Sequence, residues 1–311
     1  MTRYINYIKD AIIQLYKGRF INFIQSEWLS YLQRSRYRKL QKGNQKWSNY
    51  KKNNRQTILF PLGSGVKIYL FPDSELSRLI YLDRFEKSEQ SFIKRFLAKG
   101  DVFVDVGSNI GLFSLIASKI VGKSGHVYAF EPCMKTHERL RQNIGLAHSR
   151  NISSFALALS DEESSLRLRV SNDGFDAWNS FVDPSVKSSF EDETVQTIRW
   201  DEFARRHFLL SKVTMMKIDV EGWEMQVLRG AEYTLSKPDA PVLQIEFTEQ
   251  NCRANGYTCR DLYHALSDFG YQLFTYNPEK NILISEPLRE TYPHLNVLAV
   301  KNLEAVLQRI K

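Results

Sequence analysis

Apolar residues recur along this chain in two rhythms, and the change between them marks out the elements. Tyr4, Ile5, Ile8, Ala11, Ile12 and Leu15 keep helical spacing up to Gly18. Phe23, Ile24, Trp28, Leu29 and Leu32 resume it ahead of the basic run RSRYRKLQK, and the polar stretch Lys42 to Gln56 reads as a linker. ILFPL and VKIYLF flank Gly63-Ser64-Gly65 and predict a hairpin over Thr57 to Leu70. Arg84 to Leu97 places Phe85, Phe92, Ile93 and Phe96 on one helical face. From Asp101 the pattern becomes a regular alternation. Short β-branched runs predict strands at 102–106, 126–130, 152–158, 213–219, 241–247, 271–276 and 296–301. Helices are predicted at 112–121, 135–146, 223–235 and 259–268, the last opened by a Thr258/Asp261 capping box. An irregular excursion separates the third strand from the fourth.

A βα series that closes on two consecutive strands predicts an open α/β sheet with helices on both faces and one antiparallel strand near its edge. Three segments follow from the pattern: a basic helical arm and linker (1–56), a hairpin and helix lead-in (57–100) and the α/β domain (101–311). A composition of 43% hydrophobic residues is ample for one large core. The net charge of +8 is uneven, because residues 1–56 hold 13 Lys and Arg against Asp10 and Glu27, or +11, leaving −3 for the remainder. Three cysteines without paired spacing predict neither a disulfide framework nor a zinc site, which makes a cytoplasmic location the expectation. No apolar run reaches the roughly 18–20 residues of a spanning helix, and no secretory signal pattern is expected.

The chemistry concentrates first at DVFVDVGSNIG, 101–111, a strand, a glycine turn and the start of a helix. Gly107 and Gly111 admit positive φ and close approach of a ligand, and such sheets bind ligands beyond the carboxyl ends of their strands. Asp105 precedes the glycines where it would repel a pyrophosphate and attract an ammonium or sulfonium ion. Glu131 ends the second strand, placed to accept hydrogen bonds from two ribose hydroxyls. An amino acid and a ribose with no phosphate between them describe S-adenosylmethionine, with Asp105, Gly107, Asn109, Gly111 and Glu131 as its binding residues; an NAD-type loop and a merely structural turn are the alternatives.

These residues and five further pieces, AFEP (129–132), LRQNI (140–144), ALSD (158–161), MKIDVEGWEMQVLRGAEYTL (216–235) and PVLQIEF (241–247), occur in an order that resembles the FkbM family of S-adenosylmethionine-dependent methyltransferases. The resemblance covers about 160 residues, with KIDVEGWE its most specific block; Ser108 stands where the family usually has alanine. It implies a Rossmann-like seven-stranded methyltransferase sheet and O-methylation of a sugar, glycan or related natural-product hydroxyl. It also implies that the backbone at Ala158 and Leu159 flanks the adenine and that Asp161 meets its exocyclic amine; a simple turn at Ser160-Asp161 is the competing reading. The segment 171–180 mixes flat apolar faces with polar groups, as sugar pockets do, and makes Asn172, Trp178 and Asn179 candidate acceptor contacts. A surface loop whose tryptophan fills the core would look the same.

The second concentration of charge lies at the ends of the fourth and fifth strands. Lys217, Asp219 and Glu221 alternate and so share a face while the chain stays extended. Glu224 suits the first turn of the following helix. Asp219 has no evident structural partner, and Glu246 ends the neighbouring strand. Asp219, Glu246 and Glu221 are therefore the catalytic candidates. A carboxylate could take the proton of an acceptor hydroxyl, or two or three together could hold a hard divalent cation; direct action by a carboxylate, with no metal, is the preferred reading. His126, His137, His148 and His207 read as structural or solvated. Methylation of RNA ribose, suggested by the basic arm with its interleaved Tyr and Trp, and a non-catalytic binding module are the rival functions. DVEG after the fourth strand lacks the signature of nucleobase methylation, which leaves ribose methylation open, and a nucleic-acid partner is not the expected one. The arm, 1–56, suits either an anionic membrane surface or packing on the catalytic domain.

Overall fold

A computed structural model describes residues 38–53, 56–171, 190–210 and 212–311. The chain forms two compact units, Met1–Arg55 and Gln56–Lys311. In the first, residues 38–52 form helix α1, which continues through most of the stretch expected as a linker. Polarity misled there: Lys and Gln are good helix formers, and no proline interrupts the run. The remainder of the arm lies outside the described residues.

The second unit begins with the expected hairpin, β1 (Ile58–Gly63) and β2 (Val66–Leu70), followed by α2 (Glu75–Tyr81) and α3 (Lys87–Phe96). Next come β3 (Val102–Val106), α4 (Leu112–Val121), β4 (His126–Phe130), α5 (Met134–Leu146) and β5 (Ile152–Phe155). The return half consists of β9 (Met215–Ile218), α7 (Glu224–Gly230), α8 (Glu232–Leu235), β10 (Val242–Phe247), α9 (Glu249–Ala254), α10 (Cys259–Asp268), β11 (Gln272–Asn277), β12 (Ile282–Ser285), β13 (Leu295–Val300) and α11 (Leu303–Arg309). Among the described residues, eight of these strands form one sheet in the order β12-β11-β13-β10-β9-β3-β4-β5. The five from β10 to β5 run parallel, and β13 enters antiparallel between β10 and β11. The seven-stranded methyltransferase sheet is thus present with an eighth strand, β12, folded back on β11. The strand order reverses at β3, so the cofactor loop opens at the switch point, beside β9.

Three differences from the sequence expectation have physical causes. The third strand does not run to residue 158. It leaves the central sheet after Phe155, and β6 (Ala158–Leu159) pairs instead with β8 (Phe190–Ile198), which also pairs with β7 (Ser165–Ser171). A continuous apolar run FALAL does not reveal where the chain changes partners. Among the described residues the excursion thus forms a three-stranded sheet, and the alternation of Leu166, Leu168 and Val170 with Arg167 and Arg169 is its period-two signal. Finally, the expected helix 223–235 breaks into α7 and α8. A Cβ on Gly230 would stand 1.9 Å from the Ser160 carbonyl oxygen, so that turn packs backbone against backbone.

One core cluster joins the sheet to α6 (Trp200–Arg206), α7 and α10, with Trp200, Phe130, Phe247, Leu228 and Leu262 buried in it. Phe203 meets Phe130 and Phe155 edge-on at 4.8 and 4.9 Å, contacts worth about 0.5–1.5 kcal/mol each beyond the area they bury. On the other face α3 and α4 pack together, with Phe92, Phe96 and Leu115 buried. Among the described residues no helix is long and apolar enough to cross a membrane.

Candidate active site

The turn between β3 and α4 is held from three sides. The amides of Gly107 and Ser108 both donate to the Phe130 carbonyl, at 3.0 and 2.9 Å, tying the loop to the end of β4. Gly107, at φ 78°, lies against the chain leaving β9: a Cβ would stand 1.8 Å from the Asp219 carbonyl oxygen. Gly111, at φ 92°, leaves room for Leu140 of α5. The side-chain amide of Asn143, from the LRQNI piece, donates to Ile110 O at 2.9 Å, while its Oδ1 accepts from Tyr69 N at 2.7 Å. Asn143 therefore fastens the loop to hairpin strand β2. In the sequence this asparagine is visible only as part of the LRQNI piece.

Asp105 is 1% exposed, with Oδ2 accepting from Ser114 Oγ at 2.6 Å. Its Oδ1 is enclosed and has no hydrogen-bond partner among the described residues. Burial pushes its pKa up, and the charge of Lys217 opposes that rise. Glu131 stands at the end of β4 with Oε2 accepting from Asn109 N and Oε1 from Cys133 N, both at 3.0 Å. These two bonds fix the carboxylate at the carboxyl end of β4, where a ribose would lie. An enclosed acceptor at Asp105 and an oriented acceptor pair at Glu131 fit an ammonium group and a ribose. Asn109, at φ 46°, contributes its amide to Glu131 and turns its own Oδ1 back to Ile110 N.

Ala158 is buried on β6, and Asp161 follows with Oδ1 accepting from Ser160 Oγ at 3.0 Å. Ser160 also receives Trp223 Nε1 at 3.2 Å, which joins the ALSD piece to the EGWE piece. Arg199 donates to the Asp161 carbonyl. These bonds make a well-held turn at Ser160-Asp161. Asn172, Trp178 and Asn179 lie outside the described residues.

The catalytic candidates converge. One carboxylate oxygen from each of Asp219, Glu221 and Glu246 lies within 4.8 Å of the others. Asp219, however, has the structural partner that the sequence did not show: Lys217 Nζ donates to its Oδ2 at 2.6 Å. Lys217 is 3% exposed, aligned in the sheet between Asp105 of β3 and Gln244 of β10, with the Phe113 ring 4.6 Å from its Nζ. Burial works against its charge, but Asp219, Glu86 and Asp105 overcome that cost and raise its pKa, so it stays protonated. Glu86, whose Oε2 lies 3.7 Å from Lys217 Nζ, is pushed up to about 8 by burial despite the lysine.

Glu221, at φ 51°, accepts from Asn251 Nδ2 at 2.7 Å. Burial, then the charges of Glu246 and Asp219, hold its pKa well above the usual range. Glu246 is 8% exposed and meets His294 Nδ1 at 3.1 Å through Oε1; this contact raises the histidine pKa. His294 was missed because no apolar pattern marks it. The available signal was its position just before β13, whose Asn296 pairs with Glu246. Glu224 serves the turn more than the helix: Oε1 accepts from Val220 N and Gly222 N, and Oε2 from the Tyr257 hydroxyl. Burial raises it to about 8.

A family model described as Methyltransferase FkbM domain matches residues 105–273, which span the glycine turn, both acidic strand ends and the Asp219–Glu246 edge. The chain belongs to the FkbM methyltransferase domain family. Among curated relatives of this FkbM-domain chain is the hexuronic acid methyltransferase AglP of Haloferax volcanii, 31% identical over 162 residues, which are 51% of this chain and 63% of that protein. Methyltransferase 1 of Beauveria bassiana is also 31% identical, over 145 residues covering 42% of this chain and 57% of that protein. The chain therefore spans less than two thirds of either relative. A crystal structure of a methyltransferase FkbM from Methylobacillus flagellatus covers 72% of this chain and 54% of its own at 15% identity and a TM-score of 0.38, a likeness too slight to bear on activity.

Proposed function

We propose that this FkbM-domain chain transfers the methyl group of S-adenosylmethionine to a hydroxyl of a sugar, glycan or related natural product. The observation that supports it most directly is the meeting of two acidic groups at one sheet edge. Asp105 and Glu131 answer to the amino acid and ribose of the cofactor, and Asp219, Glu221 and Glu246 gather beside them. Methyl transfer to oxygen needs alignment of oxygen, carbon and sulfur and a group that takes up the alcohol proton. The three carboxylates supply acceptors where β9 and β10 end, with Asp219 the foremost because it adjoins Gly107 of the cofactor loop. The name of the Haloferax relative makes hexuronic acids the first acceptors to test. Incubating the chain with methyl-labelled S-adenosylmethionine and a panel of uronic acids, neutral sugars, glycolipids and RNA should place label on a sugar oxygen. Label confined to RNA, or cofactor binding without transfer to any carbohydrate, overturns the reading.

A further inference from the structure

We propose that Asp219, Glu221 and Glu246 form a binding site for one hard divalent cation of the magnesium or manganese class. Three carboxylate oxygens within 4.8 Å of one another approach the spacing of ligands on a single ion, where Mg–O distances of about 2.1 Å put neighbouring oxygens about 3 Å apart. Proximity alone would not suffice, and two further observations point to a ligand. Glu246 is more than nine-tenths buried, its Oε1 is taken by His294, and its enclosed Oε2 has no hydrogen-bond partner among the described residues. A buried, unpartnered oxygen on a carboxylate that stands beside two other acids is costly without a cation.

Each member of the trio is also oriented from outside. Lys217 holds Asp219 Oδ2 at 2.6 Å, Asn251 holds Glu221 Oε2 at 2.7 Å, and His294 holds Glu246 Oε1 at 3.1 Å. Outer partners of this kind aim ligating carboxylates and set their affinity. All the donors are oxygens, which selects magnesium or manganese over zinc or copper. Three protein ligands leave about three positions of an octahedral ion for water or for oxygens of an acceptor. A role for the ion at the acceptor hydroxyl rests on the methyl-transfer reading; the ion site itself does not.

The test is a titration of the full chain with manganese, free ion followed by electron paramagnetic resonance, without S-adenosylmethionine. One manganese per chain should bind and be displaced by magnesium. Glu246→Gln and Asn251→Ala should each weaken binding about tenfold or more. Glu202→Gln removes an acid of α6 that pairs with Arg205 and Arg206, and should leave the affinity unchanged. Absence of saturable binding to the wild type overturns the site, as does equal affinity in folded Glu246→Gln and Asn251→Ala variants. Binding of S-adenosylmethionine to the same samples, measured by calorimetry, reports separately on the methyltransferase reading.

Discussion

Glu131 and Asp219 look alike in the sequence, each an acid closing an apolar strand, yet the structure gives them different surroundings. Glu131 is fixed by the backbone amides of Asn109 and Cys133. Its loss should therefore act on the ligand: Glu131→Ala is expected to weaken S-adenosylmethionine binding by about 1.5–3 kcal/mol, roughly 10- to 150-fold by calorimetry. Unchanged affinity in a folded variant would remove that residue from the cofactor site. Asp219 is paired to a buried lysine, so Asp219→Asn does two things. It removes a proton acceptor or ion ligand, and it leaves Lys217 to Glu86 and Asp105. Turnover should fall about 10²–10⁴-fold while cofactor affinity changes little. Near-native turnover would move the search for the catalytic group to His294.

The elements that were legible in advance are those with an uninterrupted local pattern. β3, α4, β4 and α10 match the expected bounds, and the Thr258–Asp261 capping box is present. Those missed are short or polar: α2, α6, α9 and α11 have six or seven residues each, too few for helical periodicity to show. α9 nevertheless shapes the site. A Cβ on Gly222, at φ 96°, would stand 2.6 Å from Asn251 O, so the turn after β9 is moulded onto that helix. Close backbone approach also explains the end of α7. Gly230→Ala places its methyl against the Ser160 carbonyl and should lower stability by about 1–3 kcal/mol, read as a fall in denaturation midpoint. A midpoint equal to wild type would mean that α7 can move away from Ser160 without cost.

At the scale of the whole molecule the carboxyl edge is a concentration of buried acids balanced by few cations, and this predicts a sign for the pH dependence of stability. Glu86 and Glu224 are both raised from 4.5 to about 8, by burial above all. An acid with a raised folded pKa binds more protons folded than unfolded. Its contribution is complete below pH 4.5 and is lost as pH rises through about 8. Chemical denaturation should therefore show stability declining from pH 5 to pH 9. Glu224→Gln should flatten part of that decline. Its amide oxygen can accept from Val220 N and Gly222 N, and its amide nitrogen can donate to the Tyr257 oxygen, whose hydroxyl also reaches Gly222 O at 3.0 Å. A Glu224→Gln variant with the wild-type pH profile would show that Glu224 is ionised throughout, held by its three donors.

Local chemistry is written in the chain itself. β-branched runs, glycine turns and the acids that close four of the strands are patterns of neighbours within a few residues, so the cofactor loop, the alternation of strands and helices and the acids at 105, 131, 219 and 246 were readable before any fold was known. Pairing across distance was not. Asn143 reaching Tyr69, Lys217 stacked between Asp105 and Gln244, Asn251 on Glu221 and His294 on Glu246 join residues whose sequence patterns are independent. Only the sheet order, which returns β9 and β10 beside β3 and inserts β13 against β10, brings those groups within reach and turns separate acids into one charged site.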